Sequence, residues 1–338
     1  MQDRSGQVSY FLKAQGLDQA ERQRIAGDAS NRKYHRITAD GRTIILMDAP
    51  PERDEDVRPF VRMADYLRSV GLSAPEILAV DESKGFLLLE DLGDDLFARL
   101  IEKDRSLEPK LYDAAIDVLV QLHAAAPPDL EPYDAPTMTA MSALAFDWYQ
   151  RGAVGIVDLD AKEGFCQAML AQLSPLNIEK RVVIQRDYHA ENLIWLPDRS
   201  GAARVGLLDF QDAMLGHPAY DLVSVLQDAR RDVSAQTAKT AYDRYLEATA
   251  FDRKNFARAY ALLGLQRNLR ILGVFARLSL VYGKPNYIDL LPQVWAHIET
   301  NLHNPCISHL KPCLETLPPP TDDILQSLKN QCATLPLP

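Results

Sequence analysis

Residues 182–221 read VVIQRDYHAENLIWLPDRSGAARVGLLDFQDAMLGHPAYD. A short apolar run, Val182 to Ile184, leads into a polar loop that contains Arg186 and Asp187, and Asn192 follows Asp187 by five residues. A second apolar run, Leu193 to Leu196, is followed by a turn at Pro197 to Gly201 and a third run that ends in Asp209. Apolar runs this short, bounded by turn residues, predict strands. The five-residue step takes the chain round a loop on which Asp187 and Asn192 converge, and the hairpin that follows returns Asp209 to the same place.

That constellation suits one chemistry. Phosphoryl transfer asks little covalent help of a protein; it needs positioning, charge neutralisation by a divalent cation, and a carboxylate beside the attacking hydroxyl. In an R-D-x-x-x-x-N arrangement the Asp, here Asp187, accepts or orients the hydroxyl proton. The Asn and a second Asp, here Asn192 and Asp209, are hard oxygen ligands suited to Mg²⁺, which keeps several of its waters. D-x-x-x-x-N alone is a weak pattern that a surface loop can show by chance. The strand–loop–strand context and the Asp209-Phe210 pair make it specific.

Upstream, residues 5–24 read as one amphipathic helix. Residues 27–48 read as a β-hairpin with strands at Lys33 to Thr38 and Thr43 to Met47, joined at Asp40-Gly41. Asp54 to Val70 has helical spacing, with Val57, Phe60, Val61, Ala64 and Leu67 on one face. Ile77 to Val80 and Gly85 to Glu90 read as strands. Beyond the polar break Glu90 to Asp95 the pattern turns mostly helical, with Leu111 to Ala125, 217–230, 234–248 and 256–282 as the strongest segments. Residues 303–338 carry seven prolines and read as a loosely packed tail with one short helix. The expected class is α+β: a small β-rich N-lobe over 1–91 and a larger, mainly helical C-lobe over 92–338.

The runs Asp187-Tyr188-His189-Ala190-Glu191-Asn192, Leu207-Leu208-Asp209-Phe210-Gln211-Asp212 and Gly216-His217-Pro218-Ala219-Tyr220-Asp221-Leu222 resemble the aminoglycoside phosphotransferase and choline-kinase-like family, from about Gly27 to about Leu280. Within it, Gly27-Asp28-Ala29-Ser30, Met47-Asp48-Ala49-Pro50-Pro51, Leu88-Leu89-Glu90-Asp91-Leu92-Gly93 and Arg267-Asn268-Leu269-Arg270 are most similar to bacterial anomeric sugar kinases acting on N-acetylmuramate and N-acetylglucosamine in cell-wall recycling. The resemblance implies a protein-kinase-like bilobal fold that uses ATP and Mg²⁺, with Asp187 as catalytic base and Asn192 and Asp209 as metal ligands. It implies that Glu90 to Leu92 pair with adenine through their backbone. Gly27 to Asn31, including Ser30 and Asn31, would close over the phosphates, where backbone N–H groups can hold an anion. Asp221 is expected to be structural, buried and bonded to the catalytic-loop backbone.

Two departures stand out. Gln185 occupies the place two residues before Asp187 where the family usually has His. Residues 43–51 contain no Lys, although the third strand normally carries the lysine that anchors ATP. Arg32 or Arg36, from the preceding strand, is the expected replacement.

The acceptor reading centres on 256–282, where Gln266, Arg270, Gly273 and Arg277 fall within ~60° of one another at the helical repeat. Gly273 would leave room for a sugar, and Arg270 could pair with a carboxylate such as the lactyl group of N-acetylmuramate. His189 and Asp212 are further candidate acceptor contacts. Trp148, Tyr149 and His123 read more simply as core residues.

Composition narrows the class further. The 338 residues are 47% hydrophobic and 25% charged, enough for a large core. A net charge of −10 argues against a general nucleic-acid binder. No apolar run reaches the ~18 residues that span a bilayer, and the polar start of the chain is unlike a signal peptide. None of the four cysteines forms a CxxC pair. A cytoplasmic protein with a small-molecule sugar acceptor, no nucleic acid and no membrane partner is expected. A kinase of another small alcohol, such as an aminoglycoside, choline-like compound or amino acid, is the alternative enzyme; a catalytically silent nucleotide-binding protein is the alternative of another class. The sequence does not fix the oligomeric state.

Overall fold

The computed structural model describes residues 4–25, 31–53, 55–178 and 180–336. The helices along the chain are α1 (Arg4–Ala14), α2 (Arg58–Ser69), α3 (Phe97–Lys103), α4 (Glu108–Ala124), α5 (Ala135–Ser142) and α6 (Arg151–Val154). They continue with α7 (Leu159–Leu173), α8 (Ala219–Leu226), α9 (Ala235–Thr249), α10 (Arg253–Leu280), α11 (Leu291–Leu302) and α12 (Asp322–Asn330). The strands are β1 (Glu21–Ile25), β2 (Lys33–Ala39), β3 (Arg42–Asp48), β4 (Ile77–Asp81), β5 (Phe86–Glu90), β6 (Val182–Ile184), β7 (Leu193–Trp195), β8 (Val205–Leu207) and β9 (Met214–Gly216). The α+β class is as expected. The chain divides into two compact units, Met1–Ala125 with Ala190–Ala213, and Ala126–His189 with Met214–Pro338.

The first unit carries an antiparallel sheet in the order β1-β2-β3-β5-β4. Alternation on β2 and β3 turns Ile37 and Leu46 inward, where they meet Val8, Phe11 and Leu12 of α1 and Phe86 and Leu88 of β5. Helix α2 starts with Pro59 in its first turn, where a missing N–H costs nothing. Its buried residues Phe60, Met63, Ala64 and Leu67 follow the i, i+3, i+4, i+7 repeat of one helix face. The β7–β8 hairpin belongs to this unit. The segment before β4 anchors it: the Leu207 N–H donates to the Ser73 carbonyl at 2.8 Å, and the Ser73 hydroxyl donates to the Ala203 carbonyl at 2.6 Å.

One expectation fails here. Helix α1 stops at Ala14, and Glu21–Ile25 is an edge strand paired with β2, from Glu21 opposite Thr38 to Ile25 opposite Tyr34. Four of its five residues are exposed, so it has no apolar alternation for a sequence reading to find.

The second unit is built around α10, 28 residues long and capped by Asp252, whose carboxylate accepts the Asn255 N–H at 2.8 Å. Its apolar face packs among α5, α8 and α11, with Leu262, Leu265, Leu269 and Leu272 fully buried. A buried amide network ties three helical segments together: Asn268 and Asn301 both donate to the Gln227 side-chain carbonyl, at 2.8 and 2.9 Å. The tail is not loose. Leu310, Leu314, Leu317 and Leu328 are buried, Tyr149 and Gln150 donate to the Pro318 and Thr316 carbonyls, and the Ala333 N–H donates to the Ser279 carbonyl. The prolines do not prevent this packing; Pro312 lies within a short 3₁₀ helix, Ser308–Leu314. No helix among the described residues is long and apolar enough to cross a membrane.

Candidate active site

Strand β6 pairs antiparallel with β9 and delivers the chain to Gln185, Arg186 and Asp187. Asp221, in the first turn of α8 and fully buried, accepts the Gln185 N–H at 2.6 Å and the Arg186 N–H at 3.0 Å. Burial pushes the Asp221 carboxyl up to about 7 although these two donors favour its ionised form. The structural role expected for Asp221 is the one it has. Arg186 sits at φ +70°, left-handed backbone that a non-glycine residue holds only where the surroundings dictate it. Its guanidinium lies 5.4 Å from the centre of the Tyr133 ring.

The Asp187 carboxylate that follows stands 3.9 Å from the Arg270 guanidinium. Burial alone would raise its pKa, but Arg270, Arg267, His189 and Arg186 together hold it below the usual carboxylate range. It is therefore ionised at neutral pH. His189 is buried, with Nε2 3.4 Å from Arg230 Nη1. Burial, its largest influence, lowers its pKa, so the ring is neutral at pH 7.

In the other unit, Asn192 and Asp209 come together at one end of the β7–β8 hairpin, because the Leu208 N–H donates to the Asn192 carbonyl at 3.0 Å. Asp209 also has left-handed backbone, φ +56°, and accepts from the Gln211 amide at 2.7 Å. The next residue, Phe210, is fully buried with its ring 4.8 Å from that of Phe60 on α2. An amide oxygen and a carboxylate fit Mg²⁺, which is hard and satisfied with few protein ligands. The hairpin is joined to the 90–96 segment: the Trp195 N–H donates to the Asp95 carbonyl at 2.8 Å, and Arg199 bonds the Glu90 carboxylate at 2.5 Å. Leu92 is buried against Gly206.

The two candidate replacements for the absent lysine have separate partners. Arg36 forks onto Asp91 and Asp94, with contacts of 2.6 and 2.8 Å, which raises its pKa and holds that of buried Asp91 down. Arg32 donates through Nε to Glu55 at 2.8 Å, and the Asn31 N–H donates to the same carboxylate at 3.2 Å. Burial opposes the charge on Arg32, but Tyr34, Glu55 and Asp212 outweigh it. Tyr34 in turn feels the charge of Asp209. Exposed Asp212 is thus in electrostatic range of Arg32. Ser30, with Gly27 to Ala29, lies outside the described residues.

The stripe on α10 divides as well. Gln266 is fully buried, and its amide donates to the Met138 carbonyl at 2.8 Å. A Cβ on Gly273 would stand 2.3 Å from the Leu144 carbonyl, so this glycine admits the neighbouring backbone and leaves no room for a sugar. Arg270 alone of the four is in contact with Asp187. Tyr149 is fully buried and packs on Trp295, as a core residue does. The partners Glu55, Asp91, Asp94 and Arg199 were invisible in the sequence, which carries no signal for a pairing across 23 to 109 residues.

Comparison with known proteins fits this geometry. The solved choline kinase LicA from Streptococcus pneumoniae superposes with a TM-score of 0.58 at 12% identity, over 93% of this chain and 98% of that one. ADP-bound aminoglycoside phosphotransferase APH(2'')-Ib gives 0.60 at 14% identity, over 87% and 97%. Both show the protein-kinase-like fold expected from the sequence. The N-acetylmuramate/N-acetylglucosamine kinase of Caulobacter vibrioides is 39% identical over 91% of this chain and 95% of its own length. The family model described as the APH phosphotransferase enzyme family matches residues 21–261, and on these grounds the chain belongs to that family.

Proposed function

We propose that the protein is an ATP-dependent kinase that phosphorylates the anomeric hydroxyl of N-acetylmuramate, N-acetylglucosamine or both. The observation that carries the acceptor is the 39% identity to the Caulobacter kinase named for these two sugars, extending over 91% of the chain. The site supports the chemistry. Asp187, ionised and held by Arg270, orients the sugar hydroxyl and takes its proton as the oxygen attacks the γ-phosphorus and ADP leaves. An anomeric hydroxyl is more acidic than an ordinary alcohol, so modest base assistance suffices. Asn192 and Asp209 would hold Mg²⁺, which neutralises charge on the phosphates when bound. Glu90 to Leu92 would pair with adenine, and Ser30, Asn31 and Arg32 would meet the phosphates. In this reading Arg36 fixes the Asp91–Asp94 segment.

An amino-alcohol or aminoglycoside acceptor fits less well. Arg186, Arg267 and Arg270 surround the Asp187 carboxylate and would repel a cation. ADP release measured across both sugars, choline and an aminoglycoside tests the assignment. Turnover with an amino sugar alone supports it, and turnover with the cations alone refutes it.

A further inference from the structure

Close to Asp187, and within the same unit, lie buried polar atoms that meet no hydrogen-bond partner among the described residues. They are Arg267 Nε and Nη1, Asp228 Oδ2 and His189 Nδ1. Their residues are 3%, 1% and 6% exposed. Each such atom is costly while it stays unsatisfied, and folded proteins leave few of them. Here they gather in one place. Arg267 is in electrostatic range of Asp187 and Asp228, and His189 of Asp228, Asp187 and Arg267.

Their chemistry is uneven. Arginine only donates, so the Arg230 contact makes His189 Nε2 the acceptor and leaves the ring proton of the neutral imidazole on Nδ1. The cluster thus presents donors from Arg267 and His189 and an acceptor oxygen from Asp228, with His297 Nε2 beside them. Arginines are close around it: Arg270, Arg267 and Arg186 act on Asp187, and Arg230 and Arg267 act on His189. A ligand that completes it brings oxygen acceptors and a negative charge. Arg270 stands 3.9 Å from Asp187 and is engaged there; Arg267 is the guanidinium with N–H groups to offer.

Resting on the kinase reading above, we infer that Arg267, Asp228 and His189 form the acceptor-recognition subsite, and that it is built for a carboxylate-bearing amino sugar. Arg267 takes the carboxylate, the role that the sequence suggested for Arg270, and Asp228 accepts from a sugar hydroxyl. Neutral N-acetylglucosamine leaves the Arg267 donors unmet, and binds more weakly for that reason.

The test compares N-acetylmuramate, its lactyl carboxamide and N-acetylglucosamine as acceptors at saturating ATP, with the wild type, Arg267→Lys, Arg267→Gln and Asp228→Asn. In the wild type the carboxamide should show a KM about tenfold above the acid, as expected for loss of one charge-assisted pair. The Arg267 variants should shrink that difference, by raising KM for the acid more than KM for N-acetylglucosamine. Asp228→Asn should raise KM for all three. Equal KM for acid and carboxamide in the wild type overturns the inference without any variant, so a misfolded Arg267 protein does not rescue it. A parallel fall in kcat for all acceptors, with KM unmoved, overturns it too and makes Arg267 a positioning residue for Asp187. A wild type that phosphorylates none of the three overturns the kinase reading, and this inference with it.

Discussion

The Asp221 carboxylate accepts the backbone N–H of Arg186 at 3.0 Å from 35 residues further along the chain. With the matching bond from Gln185, it fixes the backbone on which Asp187 stands. Burial raises the Asp221 pKa to about 7. Between its unfolded value near 4 and that folded value, the native state holds a proton that the unfolded chain has released. Its contribution to stability is thus full below about pH 4 and declines as pH rises through 7. Asp221→Asn does not titrate. Urea unfolding at several pH values should show the wild type losing ground to the variant across this window, by on the order of a few kcal/mol. Parallel pH dependences would contradict the buried-carboxyl account.

Arg270 acts on Asp187 by charge. Replacing it with Gln removes the largest of the cationic influences that hold the Asp187 pKa down. The acidic limb of the kcat/KM profile should then move to higher pH, because Asp187 must be ionised to accept the hydroxyl proton. A lower rate with an unmoved limb would mean that Arg270 serves only to pack α10.

Arg32 and Arg36 should separate cleanly. Arg32→Ala should raise KM for ATP about tenfold or more if its guanidinium meets the phosphates, with little change in KM for the sugar. Arg36→Ala should cost about 2 kcal/mol of stability, since it leaves the Asp91 carboxylate with the Gly93 N–H but without its cationic partner. Thermal melts and ATP titrations of the two variants measure both effects. The reverse outcome, with Arg36 controlling ATP affinity, would exchange their roles.

Gly273→Ala weighs two opposing terms. Alanine gains about 1 kcal/mol of helix propensity, but its methyl group would press to 2.3 Å from the Leu144 backbone. Overpacking of this kind costs about 1–3 kcal/mol or more, so the variant should be less stable, as read by its urea midpoint. A more stable variant would show that α10 and the Leu144 backbone can part without cost.

Much of this was legible in the sequence where the signal is local. The alternation of β2 and β3, the hydrophobic face of α2, and the five-residue step from Asp187 to Asn192 each depend on neighbours a few residues apart. The polar edge strand β1 was not legible, because an exposed edge has no buried face to leave a pattern. Nor was the packing of the tail, whose prolines say nothing of Leu310 or Leu328 beneath them. On α10 the spacing grouped Gln266, Arg270, Gly273 and Arg277 but could not tell which faced a core and which a carboxylate. Gln266 and Gly273 serve packing against Met138 and Leu144, and Arg270 meets Asp187. Arg267, whose Nε and Nη1 are unmet, is a buried cation that an apolar helix pattern disguises.

The central claim is transfer of phosphate to a sugar's anomeric oxygen with Asp187 as the base. Proton-coupled ³¹P NMR of the protein with ATP, Mg²⁺ and either N-acetylmuramate or N-acetylglucosamine tests it directly, with Asp187→Asn as control. A new sugar 1-phosphate signal from the wild type is the expected result, reduced at least about a hundredfold in a folded Asp187→Asn protein. Folded wild type that yields no sugar phosphate from either acceptor, or an Asp187→Asn protein that yields it at the same rate, would contradict the account.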